Sequence, residues 1–203
     1  QEHPSSVDNY ARAIVEGMGE VFDEASITPK DIRELRHGTT VASNAILELK
    51  GARVGLITSA GFRDVLEIRT LRMPRLYDLA WEKPPSLVER YLRQVVDERI
   101  NANGVIERRP QRSEVEQVVR RLLDEKVEAI AICLINAYAN PDNERFVEDI
   151  VREMAPDIPL CISADVLPEM KEYERTSTTV INAYVLPVVA TYLTALRKGL
   201  DGD

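Results

Sequence analysis

An α/β fold is what this sequence predicts: a largely parallel sheet with helices on both faces and one inserted antiparallel hairpin. Two observations carry the prediction. Short continuous apolar runs that suit buried strands, Val54 to Thr58 and Ala129 to Ile135, alternate with longer stretches whose apolar residues recur at helical spacing. In addition, Asn103-Gly104 separates the partly alternating run Tyr91 to Ile100 from Val105-Ile106-Glu107-Arg108, which is a hairpin pattern.

The first helix is expected from about Val7 to Ala25, with a cap at Ser5 to Asp8 and Tyr10, Ala11, Ile14, Met18, Val21 and Phe22 at helical spacing. Ile32 to Arg36 reads as a short strand leading into His37-Gly38-Thr39-Thr40, and a second helix follows from about Val41 to Lys50. Gly51 is placed to end that helix in a left-handed conformation. A short helix is expected over Arg63 to Ile68, then a loop with Pro74, Pro84 and Pro85. Ser113 to Glu116 has the spacing of a capping box for a helix reaching about Lys126, and Asn140-Pro141 opens the next, to about Met154. A strand at Pro159 to Ser163 precedes a long helix from about Tyr173 to Leu200, which Pro187 should kink. Residues 1–203 thus read as one α/β domain with an inserted loop and hairpin at about 71–110.

Composition narrows the partners. Among 203 residues, 34 acidic side chains outweigh 26 basic ones, giving a formal charge of -8, and the basic residues lie scattered among acidic neighbours. Nucleic acid is therefore not expected as a partner. No run is read as a membrane span, and the polar first residues resemble no signal peptide, so a cytoplasmic location is expected. Cys133 and Cys161 sit among aliphatic residues and read as small core hydrophobes.

The stretch His37 to Asn44 concentrates the candidate chemistry. A chain that passes through Gly38 into hydroxyl residues at a helix start offers amides and hydroxyls to a phosphate or carboxylate. On pattern alone, ordinary capping by Thr39 or Thr40 is the favoured reading of this corner. His37 titrates in the range a general acid or base needs, and also suits a hydrogen-bonded structural role. Asn44 faces the same corner one turn in, either to bind a ligand or to brace the loop. Arg63 and Arg69, after a strand end, suit a forked contact with a carboxylate or phosphate, against the reading of Arg63, Asp64 and Glu67 as a solvated face with local ion pairs. Glu169 to Thr179 reads as a helix start with solvated charges. No phosphate loop of the Gly-x-x-x-x-Gly-Lys type, no Gly-x-Gly-x-x-Gly, no zinc spacing and no Gly-x-Ser-x-Gly is found.

The run His37-Gly38-Thr39-Thr40-Val41-Ala42-Ser43-Asn44-Ala45 resembles the N-terminal region of the hydantoinase A and oxoprolinase family. So do Lys50 to Arg53, Gly61 to Ile68, Leu76 to Leu79, Tyr138 to Pro141 and Glu172 to Thr178, in the same order. The resemblance implies a ribonuclease H-like domain of the actin-like ATPase superfamily. It also implies the opening of a small cyclic amide at the expense of ATP and Mg2+ through a phosphorylated carbonyl, with an ATP-dependent ketone carboxylase as the alternative. On it, His37, Thr39 and Thr40 are expected to be catalytic and Gly38, Ser43, Asn44, Arg63 and Arg69 to bind substrate. The expected partners are the remaining half of the A-type chain and a B-type subunit, with oligomers allowed; a non-catalytic assembly module binding such a subunit is the other class of reading. The acidic, glycine- and threonine-rich hairpin with which such proteins begin is missing here. The chain is therefore expected to be a fragment that binds no ATP or magnesium and lacks ATPase activity by itself.

Overall fold

The computed structural model describes residues 10–70, 78, 80 and 82–201. The expected cap at Ser5 to Asp8, and Leu76, Tyr77 and Leu79 of the family-like block, lie outside the described residues. In chain order the elements are helices α1 (Tyr10–Ala25) and α2 (Val41–Leu47), strand β1 (Val54–Ser59), helix α3 (Val65–Ile68), strands β2 (Arg93–Val96), β3 (Arg99–Ile100) and β4 (Ile106–Arg108), helix α4 (Arg112–Asp124), strand β5 (Ala129–Cys133), helix α5 (Asp142–Met154), strand β6 (Leu160–Ile162), and helices α6 (Ser163–Val166) and α7 (Glu172–Asp201). The expected α/β class holds, with a parallel sheet and a small antiparallel one.

The chain parts into two compact units, Gln1–Gly51 with Pro187–Asp203, and Ala52–Leu186. The boundary in α7 falls at Pro187, the residue whose ring removes an amide donor from the helix.

In the second unit the sheet order is β2-β1-β5-β6, and every neighbouring pair is parallel. Helices cover both faces, as alternation along the strands makes plain. Gly55 pairs with Ile130 and lies so close to Leu122 of α4 that a Cβ there would come within 2.9 Å of its side chain. Cys133, three residues beyond Ile130, points to the other face and contacts Thr176 of α7 at 3.1 Å. On that second face Cys161 also meets α7, at the Thr179 carbonyl. β5 is buried from end to end, as its unbroken apolar run requires.

The first unit has a thin core. Ala11, Val41, Tyr192 and Leu196 are buried, with Ile14, Val15, Val188 and Ala195 packed against them.

Several local expectations change. Ile32 to Arg36 form no strand: the segment is irregular, Ile32 and Leu35 are 38% and 49% exposed, and no strand pairs with it among the described residues. The left-handed residue after α2 is Leu49 (φ 54), not Gly51. Leu49 and Lys50 donate to the Ile46 and Ala45 carbonyls, which completes a Schellman motif two residues before the glycine. Ser113 is no cap, because α4 starts one residue earlier and Glu116 binds Arg112 and Arg120 instead. The Tyr91 to Ile100 run divides. Its first half is β2, drawn into the parallel sheet by burial of Leu92, Arg93 and Val96, and only β3 pairs with β4 in an antiparallel ladder. Gly104 (φ 78) makes that hairpin's turn, over the Asn101 side chain that accepts from Asn103 and Val105.

Nor is Glu169 to Thr179 only solvated charge, since Arg175, Thr176 and Thr179 are all buried. Likewise α7, read at first as falling short of a membrane span, is long and apolar enough to cross one by length and composition. Its residues 172–186 instead place those three polar side chains in the interior of the second unit. Cys133 and Cys161 are free thiols; Cys133 is buried as expected of a core hydrophobe, whereas Cys161 is only half-buried.

Candidate functional site

In the first unit, residues 31–40 are exposed to solvent from end to end, so the corner that begins at His37 is open. A cavity of about 1150 Å³ lies against it, lined by His37, Gly38, Thr39, Thr40, Asn44 and Tyr192 together with apolar residues of α1. The sequence-nominated corner residues therefore share one hollow, apart from Ser43, which is exposed and off the lining.

The corner is held by few bonds. The Val41 amide donates to Thr39 Oγ1 at 3.2 Å, so Thr39 satisfies one of the free donors at the start of α2. Thr40 occupies the cap position without a side-chain cap bond, and its hydroxyl only accepts a long contact of 3.4 Å from the Asn44 amide. Thr40 thus keeps its hydroxyl available to the hollow, and Asn44 braces the loop while facing it.

His37 has a partner that sequence reasoning missed. The Tyr192 hydroxyl lies 2.5 Å from His37 Nε2, and the two rings are tilted with centroids 5.8 Å apart. Tyr192 is nearly buried in the unit's core, so its hydroxyl is a fixed post. With Nε2 engaged, Nδ1 is the ring nitrogen without a partner among the described residues, and it is where His37 can take or give a proton. The only sequence trace of this pairing is the helical spacing of Tyr192 with Leu196, which marks an inward face and names no partner.

Arg63 and Arg69 belong to the second unit. Arg63 Nε is buried without a hydrogen-bond partner. Arg69, which ends α3 with a positive φ, donates to the Pro84 carbonyl at 2.5 Å. The neighbouring carboxylates do form ion pairs, but not with Arg63. Asp64 receives both nitrogens of the Arg90 fork at 2.9 and 3.1 Å, which holds its carboxyl below the usual range, and Glu67 receives buried Arg93 at 3.2 Å.

Two buried acids stand at the carboxyl ends of the strands, both unforeseen. Glu144 of α5 accepts from the Leu134 amide (2.8 Å), the Ser163 hydroxyl (2.6 Å) and the Ala164 amide (2.9 Å). Burial nevertheless pushes its pKa up to about 7, outweighing those bonds. Glu98 accepts from the Ser59 hydroxyl and from Asn143 Nδ2 at 2.7 Å, and burial raises its pKa too. The Ser59 hydroxyl also accepts from the Ile135 amide at 2.8 Å. These bonds tie β1, β5, α5 and the β2–β3 turn together. They complete the core, and no cavity described above reaches them.

Comparison with known proteins comes to the same region of sequence. A model of the hydantoinase/oxoprolinase N-terminal region matches residues 2–155. The chain is 33% identical over 196 residues to the caprolactamase subunit alpha of Pseudomonas jessenii, covering 94% of this chain and 28% of that one. It is 32% identical over 228 residues to 5-oxoprolinase 1 of Arabidopsis thaliana, covering 98% of this chain and 18% of that one. The crystal structure of the ATP-dependent caprolactamase from Pseudomonas jessenii superposes with a TM-score of 0.85 at 32% identity, over 93% of this chain and 28% of the other. The nucleotide-free structure of an acetone carboxylase, an enzyme of ATP-dependent acetone carboxylation, gives 0.86 at 25% identity, over 98% and 30%. The chain thus spans less than a third of each of these relatives.

Proposed function

Because the chain belongs to the hydantoinase/oxoprolinase family through its N-terminal region, we propose that it forms part of an ATP-dependent hydrolase of small cyclic amides. The observation that carries this reading is the open hollow at His37 to Asn44, in a chain that aligns over nearly its whole length with a caprolactamase and an oxoprolinase. ATP, when bound in the complete enzyme, would supply a phosphoryl group to the ring carbonyl oxygen, which makes the carbonyl carbon open to attack by water.

The chain's own residues have roles that follow from their places. Thr39 and Thr40 with the Asn44 amide present donors to a carbonyl or phosphoryl oxygen, and Gly38 lets that oxygen approach the backbone. Ser43 and the two arginines, Arg63 and Arg69, remain proposed substrate contacts of the complete enzyme. His37, steadied by Tyr192, exchanges a proton at Nδ1. The donor set suits oxygen of an anion or amide, although Glu24 and Glu34 also line the hollow. Among the described residues no group of three His, Cys, Asp or Glu side chains is placed to hold a metal, and we assign no residue of this chain to the Mg2+ of the complete enzyme. The rest of the A-type chain and a B-type subunit are the proposed partners, and the cytoplasm the proposed location.

The likeness to an acetone carboxylase supports a second reading, ATP-dependent carboxylation of a ketone. One assay separates the two. Phosphate release by the complete enzyme is measured with ATP and magnesium in the presence of oxoproline, hydantoin, caprolactam or acetone with bicarbonate. Release that requires a ring amide is expected. Release that requires acetone and bicarbonate selects the carboxylase, and the absence of any substrate dependence, with tight binding to a partner chain, selects the assembly module.

A further inference from the structure

Arg175 is the largest unexplained charge in the interior of the second unit. It is 1% exposed. Its Nη atoms donate to the Glu169 carbonyl at 2.6 Å and the Leu134 carbonyl at 3.0 Å, and its guanidinium lies 5.6 Å from the centre of the Tyr138 ring. No carboxylate forms an ion pair with it among the described residues, and its Nε is buried without a hydrogen-bond partner. A buried cation is ordinarily paired with an anion, and a buried donor with an acceptor. Arg175 lacks both.

Its position in the sheet gives that deficit a direction. The chain runs outward from β1 to β2, then returns to place β5 on the other side of β1, so the order reverses between β1 and β5. In open parallel sheets, ligands enter the crevice beyond the strand carboxyl ends at such a reversal. A small cavity lies there, lined by Thr58 at the end of β1, by Cys133, Leu134 and Ile135 at and beyond the end of β5, and by Arg175 and Thr176. Its volume is about 10 Å³, room for one water-sized oxygen. Phe62, Val65 and Glu172 wall both this cavity and a wider groove of about 350 Å³, which Arg69 and Lys171 also line.

We propose that this crevice takes one oxygen of a small oxyanion, a carboxylate or a phosphoryl group, on the Arg175 guanidinium, with the rest of the ligand lying in the adjoining groove. The acidic Glu172 and Glu174 line the groove as well, so it is not basic overall and the attraction comes from Arg175, which lines the small cavity beside it. This site stands on the fold of the second unit and not on the activity proposed above, so either can fail without the other.

The test follows the Arg175 Nε–H resonance of the 203-residue chain by nitrogen-proton NMR while potassium phosphate or sodium acetate is added, with ionic strength held constant by chloride. The resonance is assigned by its loss in Arg175→Lys or, if that variant does not fold, by selective unlabelling combined with contacts to Leu134 and Tyr138. A saturable shift is expected. Saturation by phosphate at the lower concentration identifies a phosphoryl ligand, and by acetate a carboxylate. Glu172→Gln, which removes a negative charge from the shared wall, should lower the midpoint by about threefold, the scale of one exposed charge contact. A resonance that stays in place with both probes, or a midpoint unchanged in Glu172→Gln, overturns the proposal.

Discussion

The Tyr192 hydroxyl meets His37 Nε2 at 2.5 Å, joining two residues 155 positions apart in the chain. That bond turns a histidine in an exposed, irregular segment into an oriented group. Tyr192→Phe removes only the hydroxyl and keeps the buried ring. It should lower stability by about 1 kcal/mol, the usual worth of one hydrogen bond. Urea denaturation of the two proteins measures this, and identical midpoints would mean that the bond does not hold His37 in solution.

The ionisation of Glu144 gives a pH signature. Its folded pKa of about 7 lies above the ordinary value of 4.5, so between those values the folded chain holds a proton that the unfolded chain has released. Stability must therefore fall as pH rises from about 4.5 to about 7, by an amount on the order of 3 kcal/mol for a shift of this size. Glu98 acts in the same direction through its own burial. Glu144→Gln should be less stable at low pH, where its NH2 meets either the Leu134 or the Ala164 amide donor to donor, yet show a flatter profile. Denaturation series at several pH values decide it, and a wild-type stability that rises over this range would refute the assignment.

Close packing of sheet on helix is testable at Gly55. A Cβ there meets two Leu122 methyl carbons at 2.9 and 3.0 Å, so Gly55→Ala should destabilise by about 1–3 kcal/mol through overpacking. Adding Leu122→Ala removes the obstructing atoms. The double variant should therefore be more stable than the sum of the two single losses, and strict additivity in thermal melts would contradict this contact.

The two hydroxyls of the corner should differ in their worth to the fold. Thr39 Oγ1 accepts the Val41 amide, so Thr39→Ala should cost about 1 kcal/mol as a lost cap. Thr40 makes only the long contact to Asn44, and Thr40→Ala should change stability by less than about 0.5 kcal/mol. Equal losses in chemical denaturation would show the cap misassigned.

Much of this fold was legible because burial writes itself into composition. β1 and β5 are continuous apolar runs, and both appear where those runs lie, although β5 stops at Cys133, before the end of its run. What misled was chemistry that depends on distant partners. Ile32 to Arg36 has strand-like residues but no strand beside it among the described residues, and the run from Tyr91 has the pattern of a hairpin while β1 offers its first half a parallel edge. Gly51 looked like a helix stop, yet the backbone turned at Leu49 because the α2 carbonyls could be satisfied earlier. For the site, the corner from His37 to Asn44 was nominated by local residues alone, and five of its six nominated members line one hollow. Tyr192, Glu144 and Arg175 were not nominated, since burial and pairing across more than a hundred residues, or across a sheet, leave no spacing to read.

The central claim is that the corner of the first unit handles substrate in a ring-opening enzyme. Thr40→Ala in the complete enzyme tests it most directly, with kcat/KM for phosphate release dependent on a ring amide measured beside circular dichroism and a melting curve. We expect kcat/KM to fall by about tenfold or more, the scale of one lost oxyanion donor, with the fold and melting curve unchanged. An unchanged kcat/KM in a correctly folded variant would contradict the account.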